Sequence, residues 1–407
     1  MDLGLNRHRA SRRLEQEIEA VMTARLDRPC LFFPSGRLAL YAALRTWLCP
    51  GDRLLMSPVN DDVIFFTVLA AGLRPVMAPV SSDDGNLEPG LVSNQVWSSL
   101  AGVLTTNLYG LPDRVQELRS RCNQLGIPLI EDAAHAIETQ VDGRLIGTFG
   151  DAAVFSFSKH LDAHCGGLIA FRNEAHRAEL EGLRRAATFP AQPRDQVMRV
   201  AAHVAERLVI GLHLVWPVRW LRRTLRLTER AGFRMPLRPI DLNRAIAAAP
   251  GLEAFHTWIR VDRNDYHLTP PAWALERTLR RLEDLDADCA RRIEGVRRLR
   301  SLPIAAPAVR RGDPQPLFRV PLLVDERTAV AAKLERSLTA IGYIYDPPLD
   351  DYAGPQFADP SPAPDTARWW ASRVFPVDPL EADRVLQFFG SGRPAAVSCS
   401  PTSPANE

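Results

Sequence analysis

Lysine is nearly absent from this sequence of 407 residues. Of its 50 lysines and arginines only Lys159 and Lys333 are lysines, so 48 basic positions carry a guanidinium. A guanidinium is too firmly protonated to condense with an aldehyde, whereas a primary amine can form an imine. Lys159 lies between the apolar run "VFSFS" and a Gly-Gly pair, which makes it a candidate Schiff-base residue. Lys333 lies in a charged, helical stretch and is given no role.

Paired cysteines, long apolar runs and an excess of charge are also missing. The six cysteines form no C-x-x-C pair and no metal-like cluster, which is typical of reduced thiols and predicts no metal site. A formal net charge of +2 gives no support to nucleic-acid binding over the whole surface. The N-terminal segment lacks the apolar core of a signal peptide, so the sequence predicts a cytoplasmic protein.

The first half of the chain alternates short apolar runs with helix-like segments. This pattern predicts an α/β fold with a mostly parallel central sheet and helices on both of its faces. The expected strands lie within 52–59, 74–80, 100–110, 127–132, 152–158 and 166–171. The expected helices lie within 37–48, 62–72 and 114–126, and Gly72 and Gly126 are plausible C-terminal stops.

We divide the chain into a large domain over 1–260, a smaller C-terminal α/β domain over 261–390 and a disordered tail over 391–407. A single long, arginine-rich helix is expected over 271–299. Within the large domain, 186–250 is interpreted as a helical insertion that is both apolar and basic.

The insertion combines, over about 198–230, an apolar run at 208–216 with five arginines. The apolar run is too short to span a bilayer, which needs roughly 18 residues or more. Two interpretations remain. Its apolar face packs on the protein body or on a second subunit, or it forms a basic amphipathic element that rests on an anionic membrane.

The segment "IPLIEDAAHA" ends a buried strand with carboxylates, at the edge where open α/β sheets bind ligands. An imine-forming cofactor such as pyridoxal 5′-phosphate needs an anion beside its ring nitrogen, and Asp132 is our candidate. The alternative is that Asp132 only caps the next helix. His135 follows at a spacing that lets it lie against the cofactor ring or near its phenolic oxygen.

The cofactor phosphate needs backbone amides at a helix N-terminus. The segment "FFPSGRLALYAAL" supplies Ser35 and Gly36 directly before an apolar-periodic helix, and Arg37 adds charge there. Ser156 and Ser158 in "FSFSK" offer hydroxyl groups for the same phosphate.

These stretches together resemble the DegT/DnrJ/StrS aminotransferases. The resemblance rests on an ordered series: "PSGRLAL" for S-G-T-A-A-L, "NLYGLP" for H-L-Y-G-x-P, "EDAAHA" for E-D-A-A-[QH]-x, and "IGTFGDAAVFSF" for V-G-x-x-G-D-A-A-x-F-S-F. It returns more weakly at "NDYHLTPPAWA", near N-Y-R-M-[ST]-E-x-Q-A. The resemblance implies that this protein is a pyridoxal-phosphate enzyme of the aspartate aminotransferase fold, or fold type I. It also implies a homodimer and a substrate from the class on which the family mostly acts, nucleotide-linked keto-sugars.

The resemblance implies that Lys159 carries the cofactor, that Asp132 contacts the ring nitrogen and that His135 takes the place of a cofactor-contacting Gln or His. Tyr109 and His267 fall at positions expected to contact the substrate or the second subunit.

Several departures accompany the resemblance. Arg37 replaces a Thr or Ser of the family, Asp62 replaces an aromatic residue that lies against the cofactor ring, and His267 replaces an Arg. We keep Arg37 and Asp62 among the expected cofactor-binding residues.

The expected activity is transfer of an amino group, from glutamate by family resemblance, to a keto-sugar in polysaccharide or secondary-metabolite biosynthesis. One alternative is a sugar dehydratase or other elimination enzyme on the same scaffold. The other is a non-catalytic homologue tethered to a membrane or a partner. The expected location is the cytoplasm, with peripheral contact at the inner membrane face through about 198–230.

Overall fold

Seven strands form the central sheet of the computed structural model, which describes residues 2–163, 165–191, 233–260, 265–334 and 342–390. In chain order the strands of this part are β1 (Cys30–Phe33), β2 (Arg53–Met56), β3 (Arg74–Met77), β4 (Gly102–Leu104), β5 (Leu129–Asp132), the short hairpin β6 (Gln140–Val141) and β7 (Arg144–Leu145), β8 (Ala152–Ser156) and β9 (Gly167–Phe171). The order across the sheet is β1-β9-β8-β5-β4-β2-β3.

Five adjacent strands of this sheet, from β3 to β8, run parallel, and β9 and β1 are antiparallel to their neighbours. The predicted α/β class and the mostly parallel sheet are therefore confirmed. All six predicted strand regions contain a strand. Strand β1 and the hairpin were not among the predictions, and the hairpin strands have only two residues each.

The helices between the strands are α1 (Asp2–Leu26), α2 (Gly36–Trp47), α3 (Asp62–Ala70), α4 (Asn94–Ser98), α5 (Val115–Leu125), α6 (Arg177–Ala187), α7 (Pro239–Ala247) and α8 (His256–Ile259). The side chains of Ser35 and Asp61 cap the N-termini of α2 and α3. Gly72 and Gly126 follow α3 and α5 with positive φ angles of 83° and 69°, which glycine adopts without strain.

Apolar side chains cover both faces of the sheet because successive residues of a strand point to opposite sides. In β8, Ala152 and Val154 belong to an apolar cluster that includes α2 and α3. Ala153 and Phe155 belong to a second cluster that includes α1. The sheet is thus buried between two helical layers, as predicted.

The C-terminal part contains α9 (Ala272–Glu283), α10 (Leu285–Leu299), α11 (Pro307–Arg311), β10 (Val320–Leu323), α12 (Arg327–Leu334), α13 (Leu349–Ala353), α14 (Pro364–Arg373), β11 (Val374–Val377) and α15 (Ala382–Gly390). Strands β10 and β11 pair antiparallel. The single helix expected over 271–299 is wrong, since Asp284 separates two helices. Helix α9 packs on α1, whereas α10 packs on α15. The two parts of the expected single helix therefore contact different elements.

The apolar run at 208–216, the five arginines after it and the tail over 391–407 lie outside the described residues. The division into domains at residue 260 stays a prediction. None of the helices in the described ranges has the length and apolar character to cross a membrane.

Candidate active site

A cavity of about 560 Å³ opens where four parallel strands end. Residues that follow the carboxyl ends of β2, β4, β5 and β8 line it, together with the N-terminus of α2. Parallel strands leave their connecting segments at one edge of the sheet, which is where α/β proteins bind ligands. The topology therefore brings together the segments that carry the predicted site residues.

Lys159 lies in the turn after β8, and its Nζ is 3.0 Å from Nε2 of His135. The imidazole of His135 is buried and stacks on the ring of Phe318, with 4.8 Å between ring centres. Burial, together with the positive charge of Lys159, lowers the pKa of His135 well below its usual value. A neutral imidazole therefore faces the lysine amine at neutral pH.

Asp132 is the last residue of β5 and lines the same cavity. Its Oδ1 accepts a hydrogen bond of 3.0 Å from the amide of Ala134, while Oδ2 has no hydrogen-bond partner among the described residues. Burial raises the pKa of Asp132 to about 6, although Lys159 opposes this change. A cation beside Oδ2 would offset the cost of burying this carboxylate.

The backbone of Asp132 is fixed by a neighbouring loop. Its carbonyl accepts a hydrogen bond of 2.9 Å from Nδ2 of Asn107. Asn107 in turn accepts, through Oδ1, a hydrogen bond of 3.0 Å from the amide of Asp113. The carboxylate of Asp113 binds the amides of Leu87 and Thr106 at 2.8 and 2.7 Å. Buried hydrogen bonds thus hold the strand end that carries the carboxylate.

The other acidic residue of the motif, Glu131, has a structural role. Its fully buried carboxylate accepts hydrogen bonds from the amides of Gly147, Phe149 and Gly150 at 2.9, 2.8 and 2.6 Å. These amides belong to the loop before β8, so Glu131 fixes the course of that loop. The two motifs "EDAAHA" and "IGTFGDAA" are therefore joined through one side chain.

A small cradle lies at the N-terminus of α2. The first amides of a helix have no acceptor within it and point toward the N-terminal side, where anions bind. Gly36 approaches β8 so closely that a Cβ there would lie 3.0 Å from Cβ of Ser156. The hydroxyl groups of Ser156 and Ser158 are 3.1 Å apart, and both residues line the cavity.

The hydroxyl group of Ser35 accepts the amide of Leu38 and donates to the carbonyl of Tyr266, at 3.2 and 2.9 Å. Its side chain is therefore engaged in capping α2. Arg37 lines the cavity and donates a hydrogen bond of 2.5 Å to the carbonyl of Ile259.

Asp62 also lines the cavity, but both of its carboxylate oxygens bind protein donors. Oδ1 is 2.5 Å from Nη1 of Arg234, and Oδ2 accepts the amide of Met235 at 2.7 Å. This carboxylate is buried within an ion pair instead of being directed at a ligand.

Tyr109 and His267 lie beside the cavity and not among the residues that line it. Tyr109 is fully buried, and its hydroxyl group donates a hydrogen bond of 2.7 Å to the carbonyl of Tyr343. His267 lies 3.3 Å from Asp265 of its own chain. Three residues close to it in the sequence line the cavity instead: Asp265, Tyr266 and Leu268.

The sequence motifs gave no indication of two tyrosines from the C-terminal part, Tyr343 and Tyr345, which line the cavity. Nζ of Lys159 lies 5.0 Å from the centre of the Tyr343 ring. The ring of Tyr345 is nearly parallel to that of Tyr109, with 6.1 Å between centres. The alternating pattern Y-x-Y is the one signal that could have been noticed, because alternate residues of an extended segment face the same side.

Pyridoxal phosphate, the cofactor that the resemblance implies, fits these residues. The side chains supply a primary amine on Lys159, a buried carboxylate with an open oxygen on Asp132 and two serine hydroxyl groups beside a helix N-terminus. No group of three His, Cys, Asp or Glu side chains within the described ranges is placed to hold a metal ion.

The sheet topology, and the cavity that contains Lys159 at the ends of the parallel strands, are typical of the α/β fold of aminotransferases. Residues 5–203 match the model of the DegT/DnrJ/EryC1/StrS aminotransferase family, the family that the motifs of this chain resemble.

The chain is 29% identical over 143 residues to the GDP-perosamine synthase of Vibrio cholerae, which covers 34% of this chain and 39% of that protein. It is 33% identical over 155 residues to a dTDP-4-dehydro-2,3,6-trideoxy-D-glucose 4-aminotransferase of Saccharopolyspora spinosa, covering 36% and 40%. The alignments thus span less than half the length of these curated relatives.

Among solved structures, the sugar aminotransferase CalS13 of Micromonospora echinospora superposes with a TM-score of 0.64 at 18% identity. The superposition covers 93% of this chain and 92% of that chain. This protein therefore shares its fold with that structure over almost its whole length.

Proposed function

We propose that the protein is a pyridoxal-phosphate-dependent aminotransferase that transfers an amino group from glutamate to a nucleotide-linked keto-sugar. The observation that carries the proposal is the contact of 3.0 Å between Lys159 Nζ and His135 Nε2, in the cavity that also contains the carboxylate of Asp132. The family match over residues 5–203 and the sugar aminotransferases among its relatives support the same activity.

Pyridoxal phosphate, when bound, supplies an aldehyde that condenses with a primary amine and a ring that accepts electrons from a substrate carbon. Asp132 would hold the ring nitrogen in its protonated form, because a negative charge beside a basic nitrogen favours its cationic state. Ser156, Ser158 and the amide of Gly36 would bind the phosphate at the N-terminus of α2.

Lys159 would accept the proton of the donor α-carbon and return it, which requires its neutral amine. His135, which is neutral at working pH, holds the amine in position through the hydrogen bond of 3.0 Å. In the tautomer with its proton on Nδ1, Nε2 of the imidazole accepts a hydrogen bond from the amine, and the neutral ring adds no charge to the site.

The proposal is tested first by trapping. Purified protein incubated with pyridoxal phosphate and reduced with borohydride should carry the cofactor mass on Lys159, as found by mass spectrometry of peptides. The matched control is Lys159→Arg, which keeps the positive charge but lacks a condensing amine. Absence of the mass on Lys159 in the unaltered protein would exclude the catalytic proposal.

The second test concerns the reaction. Glutamate added to the loaded protein should release 2-oxoglutarate in an amount equal to the cofactor, and a keto-sugar nucleotide added next should be aminated. Persistent loading without any 2-oxoglutarate would instead indicate an elimination enzyme or a binding protein.

We also propose a homodimer, as the resemblance implies, and a cytoplasmic location, which the unpaired pattern of the cysteines favours. The exposed ring of Phe189, which packs edge-on against His267, provides apolar surface for a second subunit. Sedimentation equilibrium of the full chain tests this, and a monomer at micromolar concentration would contradict it.

The membrane contact proposed for about 198–230 depends on the sequence of that segment. Flotation with anionic and with neutral vesicles, before and after deletion of the segment, is the corresponding test. Equal flotation of both proteins would contradict the proposal.

A further inference from the structure

Tyr343 combines a strained backbone with an aromatic ring beside the lysine of the cavity. Its φ angle is 64°, in the left-handed region that residues other than glycine rarely adopt. Backbone strain of this kind persists only where neighbouring groups stabilise it, and it is concentrated at functional sites. The hydroxyl group of the fully buried Tyr109 donates a hydrogen bond of 2.7 Å to the carbonyl of Tyr343. Tyr109 thus fixes the backbone that carries the Tyr343 ring.

The ring of Tyr343 is itself held by two edge-on contacts. It lies at 86° to the ring of His135 and at 78° to the ring of Phe318, with 5.6 and 4.9 Å between ring centres. His135 and Phe318 stack on each other, with 4.8 Å between centres. Edge-to-face pairs attract each other because the edge of a ring is electropositive and its face electronegative. The Tyr343 ring therefore has a defined orientation beside the lysine.

The amine of Lys159 has two rings as neighbours. Its Nζ is 3.0 Å from Nε2 of His135 and 5.0 Å from the centre of the Tyr343 ring. An ammonium group within about 6 Å of a ring centre is attracted by the face of that ring. Within the described ranges, no ion pair joins Lys159 to a carboxylate. The position of the amine is therefore restricted by rings and not by an anion.

This arrangement suits an amine that has to condense with an aldehyde. A lysine side chain is long and flexible, so its amine takes up many positions unless neighbours restrict it. A carboxylate partner would restrict the amine, but it would also stabilise the ammonium form, which cannot condense. An aromatic ring attracts the ammonium form more weakly, so it restricts the amine and leaves the neutral form accessible.

We propose that Tyr343 is a positioning residue, whose ring holds the amine of Lys159 where it condenses with the aldehyde of pyridoxal phosphate. The condensation joins the aldehyde carbon to Nζ through a carbon–nitrogen double bond and releases one water molecule, so no further reactant is needed. The inference rests on the proposed function, because it concerns the lysine that would carry the cofactor.

The test compares two phosphates that differ at one carbon. Pyridoxal 5′-phosphate has an aldehyde there, whereas pyridoxine 5′-phosphate has an alcohol and cannot condense with an amine. In Tyr343→Leu the rate constant for imine formation with pyridoxal phosphate, followed by stopped-flow absorbance, should fall about fivefold or more. The affinity of this variant for pyridoxine phosphate, measured by calorimetry, should change by less than about twofold. Tyr343→Phe keeps the ring and should retain both values within about twofold.

The matched control is Tyr352→Leu. This variant also loses a tyrosine ring from the C-terminal part, but Tyr352 is not among the residues that line the cavity. Both values should stay within about twofold of those of the unaltered protein. A fall in Tyr352→Leu as large as that in Tyr343→Leu would overturn the proposal, because the effect would then not depend on the contact with Lys159.

Three results for Tyr343 would also overturn the proposal. Equal losses for the two phosphates in Tyr343→Leu would show that the ring shapes the cavity and does not position the amine. An unchanged rate in Tyr343→Leu would show that the ring has no effect on condensation. An equal fall of the rate in Tyr343→Phe and Tyr343→Leu would assign the effect to the hydroxyl group.

If Tyr343→Leu does not fold, Tyr109→Phe decides. This variant removes the hydroxyl group that binds the carbonyl of Tyr343, so it should lower the rate with pyridoxal phosphate by about twofold or more and leave the affinity for pyridoxine phosphate unchanged. An unchanged rate in Tyr109→Phe would then overturn the proposal. Failure of the proposed function is distinguishable, since it shows in the unaltered protein, which would form no imine on Lys159 or release no 2-oxoglutarate. Failure of the present inference shows only in the variants.

Discussion

The buried charge of Asp132 destabilises the protein without cofactor, and the same charge is what would bind the cofactor. Its carboxylate is buried, binds the amide of Ala134 through one oxygen only, and has its pKa raised to about 6. Above that pH the protein must bury a negative charge that is only partly compensated. A protonated ring nitrogen beside it would supply the missing charge.

The first prediction concerns Asp132→Asn in the cofactor-free protein. A raised carboxyl pKa means that the folded state binds the proton more tightly than the unfolded state, so stability falls as pH rises from about 4 through 6. The side-chain amide of the Asn variant does not ionise, so the stability of that variant does not fall in this way as pH rises. Asp132→Asn should therefore be more stable than the unaltered protein by about 3 kcal/mol at pH 8 and by little at pH 4.

Urea unfolding at several pH values measures this difference. The exposed Asp142, replaced by Asn, controls for the change of residue type. A stability difference that is the same at pH 4.5 and pH 8 would contradict the assignment of the raised pKa. The loaded variant should also lose at least about a hundredfold in transamination, because the ring nitrogen loses its anion.

At the scale of elements, the approach of β9 to the start of α2 shapes the phosphate cradle. A Cβ on Gly167 would lie 2.4 Å from the amide nitrogen of Gly36 and 2.4 Å from the carbonyl carbon of Ser35. These are backbone atoms, which cannot move aside as the end of a flexible side chain can. Glycine is thus required at the first position of β9 for the helix N-terminus to reach the cavity.

Gly167→Ala should consequently lower the free energy of unfolding by about 3 kcal/mol and weaken phosphate binding. Its matched control is Gly182→Ala in α6, where a Cβ meets no atom within 4 Å. That replacement should be neutral or stabilising by about 0.5–1 kcal/mol, as in other helices. Denaturant unfolding and titration with pyridoxal phosphate give both quantities. Equal stability of the two variants would show that the strands tolerate the extra methyl group.

At the scale of the whole molecule, Arg234 joins segments that are far apart in the chain. Its guanidinium pairs with Asp62 and donates to the carbonyl groups of Asn60, Tyr345 and Pro347 at 2.7, 3.1 and 2.8 Å. Both members of the ion pair are at most 4% exposed. The residues before α3, the segment before α7 and the C-terminal part are thereby held around one charge.

Breaking this pair on one side leaves a buried charge, so Arg234→Met should cost about 3–5 kcal/mol of stability. Adding Asp62→Leu should restore at least about 1 kcal/mol, because it removes the unpaired carboxylate. Arg244→Met removes one side of an exposed pair with Asp241, 3.9 Å apart, and should change stability by less than about 0.5 kcal/mol. A double variant that is less stable than Arg234→Met would contradict the account.

Much of the site could be predicted because its groups are tied to local signals. Lys159, Asp132 and His135 were found from residue type and from their places after apolar strands, and the structure brings all three to one cavity. Asp62 was predicted to bind cofactor because of its position in the motif. The structure pairs it with Arg234, a residue 172 positions away, which no local pattern indicates.

The sequence by itself determined six of the seven strands of the central sheet, the mostly parallel pairing and the candidate lysine, because burial periodicity and residue type act over a few residues. Tertiary structure alone decided that Tyr343 lies beside Lys159, that α9 and α10 separate at Asp284, and that Asp62 pairs with Arg234. Those features depend on contacts between distant segments, whose partners are set by packing and charge balance in the folded chain. The pattern of neighbouring residues in the sequence does not indicate which distant residues will pair.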